Sequence, residues 1–332
     1  MKYNKYLTLK LILGLTASMV LIIAESVNYY GMYGGLIFSI ALNLAFGAYL
    51  ILSWKHFIFP INNKVMEVWF SLSKFELFVL EGFSLTFIIM ILFNISLFYS
   101  FLLFVFLGFL LLLIVYSGKE TKTIYYLDVS IFFGMAIFLS IFSNLQKGIE
   151  TNYHNLLYYH PKVLFINQEG SIRFLFIVFL ILLSKMIMIN NHDQLDIKKF
   201  GIFTFASSTA YIAFSLYAIV STTEQTKSIY INDQLFLFTQ KILPESGFIL
   251  VAIMFIILIV DSIRISSFYT KRLSISKRIS GHLIYSIGFF LFLYKGITIL
   301  KIYLLFGLLH IAMAIIAMLI GIFYKRNQSN LS

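Results

Sequence analysis

Ten stretches of about 20 residues in this chain are almost uninterruptedly apolar, and that constrains the fold before anything else. A helix of that length rises about 30 Å, the thickness of a bilayer's hydrocarbon core, and satisfies its own backbone hydrogen bonds there. The runs lie at roughly 8–26, 31–53, 76–96, 99–117, 125–144, 173–190, 201–221, 247–264, 282–299 and 302–324. They predict an all-α, polytopic membrane bundle of about ten transmembrane helices, with residues 1–332 forming a single transmembrane domain. Composition points the same way: 60% of residues are hydrophobic and 12% charged, against about 25% charged in an average soluble domain. A soluble chain with so few charges would have no means of covering its apolar surface. These features exclude a Rossmann or barrel enzyme, a nucleic-acid-binding domain and a disordered chain. The absence of cysteine excludes disulfides, thiol catalysis and iron–sulfur clusters.

The net charge of +11 reads as orientation and not as nucleic-acid affinity. With the N-terminus in the cytoplasm, Lys and Arg concentrate in the inner segments, most densely at Lys271, Arg272, Lys277 and Arg278, and both termini fall inside. The basic N-terminus leads into a first run that reads as a retained span, because no small-residue cleavage site precedes a polar domain. Three longer loops are expected, 54–75 inside and 145–172 and 222–246 outside, with Tyr153, Tyr158 and Tyr159 as an outer aromatic anchor. Abundant Phe, Ile, Lys, Tyr and Asn with little Ala and Pro suits the plasma membrane of a low-GC bacterium.

A division into five plus five spans is compatible with an inverted repeat, since it pairs the long inner loop after span 2 with the long outer loop after span 7. Pro60, Pro161 and Pro244 all fall in loops, so continuous rather than broken helices are expected.

Ionisable groups inside spans are costly and therefore the first functional candidates. Glu81, Asp128 and Lys185 fall at similar depth near the inner side, where they either form a buried ion or proton cluster or meet headgroup water. Toward the outside lie Glu25, Lys295 and His310. The first two suit an interfacial ion pair. His310 is either a titrating group or a neutral histidine bonded to a neighbouring helix. Thr204, Ser208, Tyr211 and Ser215, at offsets of 0, 4, 7 and 11, share one helix face that either lines a polar pathway or glues helices together. Gly31 with Gly35, and Ala317 with Gly321, are close-packing pairs, and Asn43 suits a bond across helices.

Enzyme motifs are scarce. HExxH, GxSxG and Walker-type loops are missing. Asp193 and Asp196 read as a solvated turn, and His154 and His160 are too poorly spaced for metal, so neither metal nor cofactor is expected. The leading expectation is a carrier or flippase-like transporter of a small or amphiphilic solute, non-enzymatic, with membrane lipids around it. The alternatives are an accessory, immunity or sensor-type subunit acting through a protein partner or homo-oligomer, and a transferase on lipid-linked substrates using Glu150, His154 and His160.

Overall fold

The computed structural model describes residues 10, 13–54, 63–114, 122–147, 170–189, 197–222, 239–241, 243–265 and 274–329. Every extended element among these residues is helical: α1 (Ala17–Tyr30), α2 (Met32–Trp54), α3 (Asn63–Phe93), α4 (Leu97–Ile114), α5 (Lys122–Lys147), α6 (Ser171–Ile189), α7 (Ile197–Thr222), α8 (Glu245–Ile265), α9 (Ile275–Tyr294) and α10 (Ile299–Ser329). Among the described residues, 6 helices are long and apolar enough to cross a membrane, namely α2, α3, α6, α7, α8 and α10. Helices α4 and α5 carry shorter apolar stretches, Leu97–Leu110 and Leu127–Ser143.

Polarity is arranged inside out relative to a soluble protein. Large apolar side chains point outward in helical register, such as Ile249, Ile253 and Ile257 on α8, and Leu305, Leu308 and Leu309 on α10. Charged groups such as Lys10, Glu76, Glu81 and Lys185 are buried in the interior. That distribution suits hydrocarbon around the bundle.

Helix α1 is the hub. Every residue from Ala17 to Val27 is buried, as expected for a helix apolar on all its faces. It packs against α2, α3, α7 and α10. Gly31, with φ 64°, ends α1 and turns the chain straight into α2. Helix α2 lies antiparallel to α7: Gly35 meets Ser215, Ser39 meets Ser208, and the rings of Phe46 and Phe200 lie 5.3 Å apart. It lies parallel to α6, whose Phe174 near the start touches Tyr30 and Phe38. On the other side α3, α4 and α9 interlock through phenylalanine rings, with Phe289 of α9 at 5.1 Å from Phe83 and 5.3 Å from Phe104.

Among the boundaries that differ from the expected spans, three have a clear local reason. Helix α3 starts at Asn63 and not at residue 76, because Met66, Trp69, Phe70 and Ser73 form a buried face on an otherwise polar stretch. The second half of the expected inner loop is therefore helix. Helix α9 ends at Tyr294, where the chain turns at Gly296 with φ 61°, so Lys295 to Thr298 connect α9 to α10. The run expected at 8–26 is interrupted. Gly14 has φ 53°, and the Leu15 amide donates to the Lys10 carbonyl at 3.2 Å, a closure that terminates a helix before α1 begins at Ala17. The expectation of unbroken helices therefore fails in the first segment, where glycine and not proline makes the break.

Gly14 has a second constraint, since a Cβ there would overlap the Tyr211 hydroxyl. Gly14→Ala is expected to lose about 2–4 kcal/mol, from the left-handed backbone and the displaced tyrosine together. Gly47→Ala, where nothing lies within reach of a Cβ, is expected to leave stability unchanged or raise it. Thermal denaturation of the two purified variants checks the contrast.

Candidate functional site

The long α3 sets the depth of two glutamates. Because the helix starts at Asn63, Glu76 and Glu81 stand in its middle, both fully buried. Glu76 is held at both oxygens. Lys185 Nζ of α6 donates to Oε1 at 2.7 Å, and His310 Nε2 of α10 lies 2.7 Å from Oε2. The Lys185 ammonium also stands 5.2 Å above the Tyr303 ring, and the His310 ring packs edge-on against Trp69. One carboxylate thus ties three helices together, with a histidine whose other nitrogen, Nδ1, has no hydrogen-bond partner among the described residues.

A second cluster forms around Lys10. Its Nζ donates to Asp128 Oδ2 of α5 at 2.8 Å and to Asp261 Oδ2 of α8 at 3.0 Å. One ammonium facing two carboxylates gives the cluster a formal charge of −1. An internal cavity of about 20 Å³, room for a single water molecule, is lined by members of both clusters. Lys10, Glu76 and Lys185 line it, with Thr16, Ser18, Tyr211 and Tyr303 completing its polar wall. A separate groove of about 600 Å³ opens on the outer surface, lined by Leu44, Gly47, Ile51, Leu175, Phe176 and Phe179, with Asn43 as its polar group.

The residues expected from sequence fall as follows. Glu81, Asp128 and Lys185 are all buried, yet no direct ion pair joins them. Lys185 pairs with Glu76, Asp128 pairs with Lys10, and Glu81 Oε1 accepts hydrogen bonds from the Ser18 amide at 3.2 Å and the Ser18 hydroxyl at 2.7 Å. Glu25 and Lys295 do not meet. Lys295 is exposed, while Glu25 accepts from the Leu300 amide at 2.9 Å, so its carboxylate sits at the N-terminus of α10. His310 bonds to Glu76.

The hydroxyl face of α7 is buried and mostly bonded inside the bundle. Thr204 and Ser215 donate to carbonyls one turn back, and Ser208 joins Ser39 and Asn43 of α2. Tyr211 donates to the Leu13 carbonyl at 2.7 Å and is the member of this face that reaches the cavity. Glu150, His154, His160, Asp193, Asp196 and the outer tyrosines lie outside the described residues.

Sequence reasoning missed three charged partners, Lys10, Glu76 and Asp261. Lys10 and Asp261 each fall inside an expected span, so the cost of burying their charge was the available signal. Glu76 stood at an expected boundary. Among the described residues no group of three or more His, Asp or Glu is arranged to hold a metal ion. The fold and these buried clusters define a multi-helical membrane protein with a charged interior. No family model matches the chain, and no curated protein is significantly similar to it.

Removing one partner of a buried pair strands the other. Lys185→Met is expected to cost about 3–5 kcal/mol, whereas Lys185→Met combined with Glu76→Gln costs markedly less. Chemical denaturation of both variants in micelles measures this. Equal losses would mean that the contact acts through packing alone.

Proposed function

We propose that this protein is a carrier for a small or amphiphilic solute in a bacterial plasma membrane, crossing it about ten times with both termini in the cytoplasm. The observation that carries the reading is the pair of buried ionic clusters, Lys185–Glu76–His310 and Lys10–Asp128–Asp261, bordering one small interior cavity. Charges inside a membrane bundle are expensive, and a chain that needed only to pack would make these contacts with apolar side chains. Five separate elements supply the charges besides the first segment, namely α3, α5, α6, α8 and α10, so a shift of any one against the others breaks or reforms a charged contact. That coupling between helix position and interior charge is what alternating access requires.

Three further features support the reading. The interrupted first segment resembles the discontinuous helices with which membrane carriers form interior sites. The antiparallel pairing of α2 with α7 and the parallel run of α2 with α6 agree with the alternation that ten crossings require. The outer apolar groove suits the hydrocarbon part of an amphiphilic solute.

Glu76→Gln combined with Lys185→Met removes one charge of each sign and is expected to reach the membrane while lowering solute movement at least tenfold. Untargeted mass spectrometry of solutes taken up or expelled by cells producing either protein provides the comparison. An unchanged solute profile, with both proteins present in the membrane, would overturn the carrier reading.

A further inference from the structure

Glu81 is held differently from Glu76, although both stand in the middle of α3. No lysine, arginine or histidine pairs with it among the described residues. Its Oε1 accepts the amide and the hydroxyl of Ser18, while Oε2 has no hydrogen-bond partner there and the residue is 0% exposed. The amide belongs to the first turn of α1, just past the break at Gly14, so the carboxyl group faces the start of a helix within the bundle. Ser18 Oγ has one hydrogen for two contacts, Glu81 Oε1 at 2.7 Å and Thr16 Oγ1 at 3.1 Å. That hydrogen points either to the carboxylate or to Thr16. Thr16 and Ser18 both border the water-sized cavity, as do Glu76 and Lys185.

We propose that Glu81 is a proton-binding site, reached from the cavity through the hydroxyl of Ser18. The proposal rests on the carrier reading and names its coupling ion. A proton delivered from the cavity binds Ser18 Oγ as Ser18 passes its own hydrogen to Glu81 Oε1. One carboxylate becomes one carboxylic acid, the hydroxyl keeps one hydrogen, and no electrons move. A half-turn of the carboxyl group then puts the hydrogen on the side without donors and returns an oxygen to the Ser18 amide.

The other titratable groups around this region are already engaged. Lys10 of the first segment is bound to Asp128 of α5 and Asp261 of α8. Glu76 is bound to Lys185 of α6 and His310 of α10. Tyr211 of α7 donates to Leu13, and Tyr303 of α10 lies under the Lys185 ammonium. Glu81 is thus the carboxyl group here with no cation in contact and an oxygen to spare. A metal cation at that position would face the positive end of α1, whereas a proton neutralises the carboxyl without requiring a coordination shell.

The test is infrared difference spectroscopy of the full-length protein in lipid nanodiscs, with glutamate carrying carbon-13 at the side-chain carboxyl. On a jump from alkaline to acid buffer, a protonated-carboxyl band is expected that Glu81→Gln lacks. Ser18→Ala keeps the amide but removes the relay hydroxyl, and the band is expected to rise at least tenfold more slowly. A band unaltered in Glu81→Gln, or one as fast in Ser18→Ala as in the parent, overturns the proposal. So does a band suppressed by sodium at constant pH, which would mark a metal-cation site. Solute uptake plays no part in this readout, so loss of the proton site leaves the carrier reading to its own test. A proton site without solute movement removes the carrier reading alone.

Discussion

A carboxylate in the interior of a membrane bundle has no water to turn to, and Glu76 meets that constraint with two donors from two other helices. Lys185 takes one oxygen and His310 the other, so α3, α6 and α10 are fixed at one level along their lengths. Apolar packing sets that register less sharply, because a charged contact inside the bundle is lost outright when the helices shift. The cluster also fixes Tyr303 and Trp69, which lie against the ammonium and the imidazole. Much of what surrounds α1 follows from that anchoring, since α3 and α10 are two of its walls.

Helix ends carry the same logic into the first segment. A helix that stops inside a bundle leaves amides at its start and carbonyls at its finish that must find partners. The finish before Gly14 is closed by the Leu15 amide and by the Tyr211 hydroxyl on the Leu13 carbonyl. The start of α1 is met by Glu81, and the start of α10 by Glu25. Two of the buried acids therefore serve helix starts and two kinds of cation serve the others. That division explains why five negatively charged side chains fit in one core without a matching count of lysines: Glu25 and Glu81 find backbone amides, Glu76 finds Lys185 and His310, and Asp128 and Asp261 share Lys10.

How much of this was legible in the sequence differs from residue to residue. The helical class follows from the apolar runs, and Glu81, Asp128, Lys185 and His310 stand out because each is polar within one. Their partners do not stand out. Average hydropathy over 63–75 is lowered by Lys64, Glu67 and Lys74, which hides the helical period of Met66, Trp69, Phe70 and Ser73 and shifts the expected start of α3 to Glu76 itself. With that start the two glutamates read as shallow and Glu76 as peripheral. Lys10 reads as a topology charge, because a basic residue near the N-terminus is explained by orientation before burial is considered. Pairings such as Lys10 with Asp261 join residues far apart in the chain, and no local pattern encodes them.

The break at Gly14 shows what a proline count misses. Proline interrupts a helix by removing a donor, but a glycine in the left-handed region does so while keeping every amide, and it lets the chain close one helix and open another within three residues of turn. The closure costs little because Gly14 has no Cβ to strike Tyr211. Its consequence is chemical. An unbroken first helix would bond the Ser18 amide to a carbonyl of the preceding turn, and Glu81 would face an apolar surface with no donor from the backbone. Interrupting the helix frees that amide, brings Thr16 and Ser18 to the cavity edge and leaves the carboxyl with one oxygen bound and one bare. The local backbone of one glycine thus decides whether Glu81 is a buried liability or a group with a place for a proton.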